Sequence, residues 1–250
     1  MRRLLITLSL CLFGLNANAQ NFSDMTPDQR TAFGEAVRSY LLENPEVVME
    51  AVAILQERES QAAVNNDREL ALRYQSQLND DGYSFVGGNP DGTINLVEFI
   101  DYRCGYCRRA HAEVRALVAA NDDIRYVIKE FPILGEDSVV AARAALAVLV
   151  NDGEEVYYKM NDLLMTFEGP YNDATLEDMA LEAGADPVRM AELMNTPLIT
   201  DMIANNRALA QRIQITGTPT FVFGNQMVRG YVSPDVMNAL LEDARDALPQ

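Results

Sequence analysis

Residues Ile94 to Ile100 form a short, nearly continuous apolar run, and Cys104 and Cys107 follow it within a few positions. A strand without a polar face needs cover on both sides, so this run reads as a buried central strand. Ala110, Val114 and Leu117 recur at helical spacing, which places the two cysteines at the start of a helix. A second strand, Ile124 to Phe131, ends at Pro132. Strand, cysteine pair, helix and strand together make a β-α-β unit, and the chain belongs to the α/β class.

The rest of the chain extends that unit. From Asp137 to Arg212 the pattern is helical throughout. Its apolar run Val139 to Val150 is 12 residues long and contains Arg143, so it reads as a buried helix rather than a membrane span. Sheet character returns at Thr220 to Phe223, followed by a turn at Gly224-Asn225 and a strand from Gln226 to Arg229. A final helix starts at Ser233-Pro234 and carries Met237, Leu240, Leu241, Ala244 and Leu248 on one face. The cluster from Gly87 to Gly92 reads as turns.

Upstream, two further segments are expected. Arg2 and Arg3, the apolar run Leu4 to Leu15 and Ala17-Asn18-Ala19 have the layout of a secretory signal peptide over residues 1–19. Residues 20–80 then read as a helical stalk preceding a main domain over 81–250. Thr26-Pro27-Asp28-Gln29 is a helix start with a capping box, and Phe33, Val37, Tyr40 and Leu41 follow at helical spacing. Asn44-Pro45-Glu46 interrupts and caps a second helix carrying Val48, Val52 and Leu55, which turns polar from Gln56 to Asn79. Some 60 residues with so few large apolar positions cannot bury a core alone, so the stalk is expected to assemble copies of the chain into a homo-oligomer.

Charge and cysteine count narrow the function. Loss of the leader, with Arg2 and Arg3, takes the formal net charge from −17 to −19 and leaves Cys104 and Cys107 as the whole cysteine complement. Such acidity argues against nucleic acid as a partner. One cysteine pair and the single His111 are too few for a zinc site, so no metal and no cofactor is expected. The pair is either a small structural disulfide or a redox couple.

Its spacing favours redox chemistry. At a helix N-terminus, unpaired N–H groups and the positive dipole end favour an anion on Cys104, with thiol pKa values in such settings of about 3.5 to 7.5. Cys104 is expected to be an exposed attacking thiolate and Cys107, one turn further in, the shielded resolving thiol. Arg103, Arg108 and Arg109 either favour the thiolate further or are ordinary solvated arginines. His111 reads as a polar surface residue rather than a catalyst. A second element, Gly217-Thr218-Pro219-Thr220, places a proline at the entry of a strand where it cannot donate to the ladder. A plain loop proline or a cis Thr218–Pro219 bond would each fit. Beside the cysteine pair the cis reading is preferred, leaving the Thr218 backbone free for an extended substrate.

The stretch from Glu98 to Cys107 (Glu-Phe-Ile-Asp-Tyr-Arg-Cys-Gly-Tyr-Cys) and the later Thr218-Pro219 resemble the thioredoxin superfamily, from about Asp81 to the C-terminus. The helical block, about 137–212, makes the chain similar to the periplasmic dithiol oxidase branch, as a thioredoxin-like fold with an inserted helical domain. The helical N-terminus and Lys129-Glu130-Phe131-Pro132 resemble its copper-sensitivity-suppressor and Com1-like members. The resemblance implies a nucleophilic Cys104, a resolving Cys107 and a cis-Pro219 facing them. It also implies a buried acid at Glu98 that relays protons to Cys107 with Lys129 as a possible partner, a simple buried ion pair being the alternative. Gly105-Tyr106 and Thr218 match the bacterial disulfide isomerases and would contact substrate.

The function this implies is an exported, periplasmic disulfide isomerase acting on client proteins with cysteines and re-set by a membrane redox partner. A monomeric dithiol oxidase is the alternative within the class. A copper-sequestering protein using the same thiolates is the alternative outside it.

Overall fold

The computed structural model describes residues 25–248. The signal-peptide segment and its cleavage point lie outside the described residues. The chain divides into two compact units, one ending at Arg58 and one beginning at Glu59.

In the first unit, α1 (Pro27–Glu43) starts from Thr26 with both halves of the capping box formed: Gln29 N–H donates to Thr26 Oγ1 (3.3 Å) and Thr26 N–H to Gln29 Oε1 (2.9 Å). No residue of α1 is buried. Asn44 and Pro45 separate it from α2 (Glu46–Arg73), whose buried residues are Leu70 and Ala71, both beyond Arg58. The second unit therefore starts well before the composition shift at Asp80-Asp81-Gly82. Leu70, Ala71 and Leu78 of α3 (Gln75–Asn79) pack with Val97, Phe99 and Val127, so the polar appearance of residues 56–79 hides one apolar contact stripe.

The sheet of the second unit has five strands: β1 (Phe85–Gly88), β2 (Ile94–Ile100), β3 (Ile124–Glu130), β4 (Thr220–Phe223) and β5 (Gln226–Arg229), in the order β1-β3-β2-β4-β5. β2 and β3 are parallel, joined by α4 (Gly105–Ala120), and the other pairings are antiparallel. β1 falls where turns are expected. Its Gly87-Gly88 end pairs with Tyr126 and Arg125, and Gly88 has φ +66° with its Cβ position 2.6 Å from the Ile124 carbonyl oxygen, so only glycine fits. Five helices, α5 (Glu136–Asp152), α6 (Glu154–Thr166), α7 (Asp173–Ala183), α8 (Pro187–Met194) and α9 (Pro197–Arg212), stand between β3 and β4, and α10 (Pro234–Asp246) ends the fold.

Alternation along β2 and β3 sorts the core into two clusters. Leu96, Ile100, Tyr126 and Ile128 join the cluster of α4, α10 and the helical insertion. Val97, Phe99 and Val127 join the cluster of α3 and α9. None of the described helices is long and apolar enough to cross a membrane.

Candidate active site: two thiols of unequal acidity

Cys104 is the N-cap of α4, with extended backbone (φ −77°, ψ 114°), so its sulfur lies at the helix end where the first N–H groups lack intrahelical partners. Its own N–H donates to the Asp101 carbonyl (3.0 Å) and its carbonyl accepts from Arg108 N–H (3.1 Å). The Cys104 thiol donates to the Thr218 carbonyl oxygen (3.1 Å), which brings the two loops together across 114 residues of sequence. The Thr218–Pro219 bond is cis. The loop is fixed on both sides of Thr218: Gly230 N–H donates to the Pro219 carbonyl (2.8 Å), and the Thr220 hydroxyl to the Gly217 carbonyl (2.9 Å).

The helix start divides the two thiols chemically. Cys104 is drawn down to about 5, first by the hydrogen bond from the Cys107 thiol, against the cost of burial, then by the Thr218 side-chain hydroxyl and the N–H groups of Cys107 and Tyr106. Cys107 is pushed well up, first by burial, then by its bond to Cys104 and the charges of Glu98 and Cys104. Cys107 is fully buried. Cys104 is only 6 % exposed, less open than the attacking thiolate expected from sequence, because the Thr218–Pro219 loop covers it. Around that small opening, Gly105 has open space at its Cβ position, and Tyr106 is 62 % exposed with its ring stacked on Tyr231 at 6.4 Å.

Glu98 lies on β2 between Leu96 and Ile100, which share a core cluster with the cysteines, and is 3 % exposed. Burial raises it to about 7, the hydrogen bond donated by the Tyr126 hydroxyl to Oε2 opposes that, and the Cys104 charge adds to the rise. Lys129 is not its partner. In the parallel register Glu98 lies beside Ile128 and Phe99 beside Lys129, so Lys129 points to the opposite sheet face. There it donates to Asp81 Oδ2 (2.5 Å) and to the Gln77 carbonyl (2.9 Å).

Two other expectations change. His111 is buried rather than on the surface, its Nε2 2.8 Å from Asp162 Oδ1. Arg103 and Arg108 are occupied in anchoring the insertion: Arg103 pairs with Asp137 (2.6 Å) and donates to the Gly169 carbonyl (2.8 Å), while Arg108 donates to the carbonyls of Tyr102 and Phe167. Arg109 stacks over Tyr231 at 4.2 Å.

Sequence reasoning assigned no role to Asp101, the residue that buckles the redox loop. Its buried carboxylate accepts from Arg103 N–H (2.8 Å), the Ser138 hydroxyl (2.7 Å) and the N–H groups of Ile133 and Leu134 (2.7 and 3.0 Å). An acid placed just beyond a buried strand is the signal that marks it. Among the described residues, no group of three or more His, Cys, Asp and Glu side chains is arranged to hold a metal ion.

Two adjacent thiols held at such different acidities, one opening onto a loop built to approach it, suit one kind of chemistry: making and breaking disulfides. The fold and site are those of a thiol–disulfide oxidoreductase of the thioredoxin superfamily. Residues 95–242 match the family model described as a DSBA-like thioredoxin domain, and the chain belongs to that family. Residues 29–62 match the N-terminal domain of the copper resistance protein ScsC. Among solved structures, a thioredoxin-like oxidoreductase from Silicibacter pomeroyi DSS-3 is 39 % identical, with a TM-score of 0.63 over 70 % of this chain and 99 % of that one. Proteus mirabilis ScsC in a transitional conformation is 25 % identical, with a TM-score of 0.66 over 90 % of this chain and all of that one. A curated relative, the Na(+)/H(+) antiporter NhaA of Herminiimonas arsenicoxydans, is 29 % identical over 161 residues, 64 % of this chain but 25 % of the antiporter. The chain thus spans about a quarter of the length of that relative.

Proposed function

We propose that this oxidoreductase is an exported, periplasmic protein disulfide isomerase, assembled through its N-terminal helices, with Cys104 as nucleophile and Cys107 as resolving thiol. The Cys104 thiolate attacks a client disulfide, forming a Cys104–client bond and releasing the other client sulfur as a thiolate. That thiolate, or another in the client, then attacks elsewhere to reshuffle the bridges. Where the client stays trapped, Cys107 attacks the Cys104 sulfur, the Cys104–Cys107 disulfide forms and the client leaves reduced. A membrane redox partner then returns the pair to its dithiol form. Thr218 and Pro219 hold the client strand beside Cys104, and Gly105 and Tyr106 border its approach.

The observation that carries the isomerase reading is the first unit. Val37, Tyr40, Leu42, Val48, Met49, Val52, Ile54 and Leu55 are all exposed on helices whose residues up to Arg58 include none that is buried. Covering one such side chain stabilises by roughly 1.5 to 3 kcal/mol, so a few per chain suffice to hold copies together. Linked sites then hold one misfolded client at several points, which raises the effective concentration of each thiol. The test is the mass in solution of the mature protein and of a variant lacking residues 20–58, beside reactivation of scrambled ribonuclease. The full protein is expected to be oligomeric and active, and the variant monomeric, poor at reactivation and equal or better at oxidising reduced ribonuclease. A monomeric full-length protein overturns the reading.

One observation favours the oxidase alternative: a Cys104 thiol near 5 stabilises the reduced form, as in strongly oxidising members of this chemistry. The same pair of ribonuclease assays separates the two.

A further inference from the structure

A carboxyl that exchanges protons with a buried thiol must be held in place without being fixed in one charge state. Glu98 meets this problem in the centre of the sheet, with Ile128 beside it on β3 and Phe221 beside it on β4, both apolar. Two residues before Ile128 on the same strand face, Tyr126 is 3 % exposed and donates its hydroxyl to Glu98 Oε2. Its ring is fixed edge-on against Phe85, 6.4 Å away at 80°. We propose that Tyr126 is the positioning residue for proton transfer at this site, its hydroxyl holding the Glu98 carboxyl on the sheet face against which Cys107 packs while adding no charge of its own.

The proposal rests on the oxidoreductase reading and concerns its resolving step. A cation in the place of Tyr126 would hold Glu98 as a permanent carboxylate, and an apolar residue would hold it as a permanent acid. A phenol does neither. Burial and the Glu98 charge push the Tyr126 phenol well above its ordinary range, so it stays a donor at every working pH. The charged and titratable groups around this pair come from two elements: Cys104, Cys107 and Arg115 from α4 and its N-cap, and Tyr158 from α6. Arg115 itself stacks over Tyr158 at 3.4 Å and lies 3.8 Å from Asp162, so its charge is directed outward.

The Cys107 thiol gives its proton to Glu98, and the resulting thiolate attacks the Cys104 sulfur of the mixed disulfide. The Cys104–Cys107 bond forms, the Cys104–client bond breaks, and the client sulfur leaves as a thiolate carrying the electron pair. The cysteine pair is oxidised and the client sulfur reduced.

The reduced full-length protein is mixed rapidly with an aromatic disulfide that releases a coloured thiolate, at a series of pH values. The first release reports attack by Cys104 and the second reports attack by Cys107. In Tyr126→Phe the pH midpoint of the second release is expected to rise by about one unit, the size of one hydrogen bond lost from a carboxylate. The first release should not change. Adding Tyr126→Phe to Glu98→Gln should shift nothing further, because the hydroxyl acts only through that carboxyl. A second release with an unmoved midpoint in Tyr126→Phe, while Glu98→Gln alters it, overturns the role of Tyr126 and leaves the oxidoreductase intact. Absence of any second release from the unsubstituted protein overturns the oxidoreductase reading itself. A readout that needs no variant is the carboxyl carbon resonance of Glu98, which should titrate near 7; titration at the ordinary 4.5 overturns the proposal.

Discussion

The two faces of the central sheet bury ionisable groups in opposite ways. On the cysteine face, Glu98 is held by the neutral Tyr126 hydroxyl and sits near 7. On the other face, Lys129 and Asp81 pair at 2.5 Å, and every hydrogen bond the carboxylate can accept is made: Tyr83 N–H, Ser84 N–H, the Ser84 hydroxyl and Lys129 Nζ. Burial pushes Lys129 down and Asp81 up, but the Lys129 charge and these donors bring Asp81 below its ordinary value, so the pair stays ionised. A matched pair gives a fixed structure and a carboxyl with a neutral donor gives a movable proton. Placing them on opposite faces keeps the Lys129 charge away from the thiols.

The largest test of this contrast breaks the pair. Asp81→Asn leaves Lys129 buried without a counter-charge and should cost about 3–5 kcal/mol of unfolding free energy in urea, the range for a halved buried ion pair. The acidity of Cys104, followed by alkylation rate against pH, should stay near 5, since its hydrogen-bonding partners lie on the other face. A large shift in Cys104 would mean that the faces are not separate.

The faces should also respond to pH with opposite sign. Glu98 keeps a proton in the folded protein between about 4.5 and 7 that the unfolded chain has released, so it lowers stability progressively as pH rises through that window. Relative to wild type, Glu98→Gln should gain of order 1–3 kcal/mol between pH 4.5 and 7, measured by urea unfolding of the reduced protein at each pH. Asp81 behaves in the reverse sense: its folded value lies below 3.8, so its contribution is full above that value and is lost as pH falls through the folded one. Cys104 also opposes Glu98, adding stability as pH rises from about 5 to 9, and the variant comparison cancels it. A Glu98→Gln difference that is flat over the window would show that the carboxyl is not held protonated.

How far all this could be read from sequence depended on whether one segment or two carried the signal. The strands at 94–100, 220–223 and 226–229 are legible because each is a local apolar pattern between turn residues. The buried acid at Glu98 is legible through the resemblance of its stretch to the thioredoxin superfamily, which implies an acid at that position. Its partner is not, because the register of β2 against β3 is written in neither strand alone, and a slip of one residue exchanges Tyr126 and Ile128 for Lys129. The strand Phe85–Gly88 is hidden by glycines that the close approach to Ile124 requires. His111 looks like a surface residue until α6 brings Asp162 against it.

The first unit offers a smaller test. Thr26→Ala removes one half of the capping box and should cost helix α1 about 1 kcal/mol, visible as faster amide exchange in its first turn. Exchange in the sheet should not change, because the cap lies outside the second unit.

A comparably small effect is expected at a residue that touches both faces. Tyr83 packs against the core cluster on the cysteine face, its ring lies 5.8 Å from Lys129 Nζ, and its hydroxyl donates to Asn206 Oδ1 at 3.0 Å. Asn206 in turn donates to the Glu130 carbonyl (3.0 Å). Tyr83→Phe keeps the ring and the packing and removes only the hydroxyl. Asn206 keeps its own donor bond, and Tyr83 is only partly buried, so water can take the place of the lost group. The cost should be about 0.5–1.5 kcal/mol in urea unfolding. Lys129 still has Asp81, so the pH dependence of stability below 4 should be unchanged. If Tyr83→Phe instead destabilises as strongly as Asp81→Asn, then the Tyr83–Asn206 link, and not the ion pair, holds that face, and the contrast between the two faces rests on the wrong group.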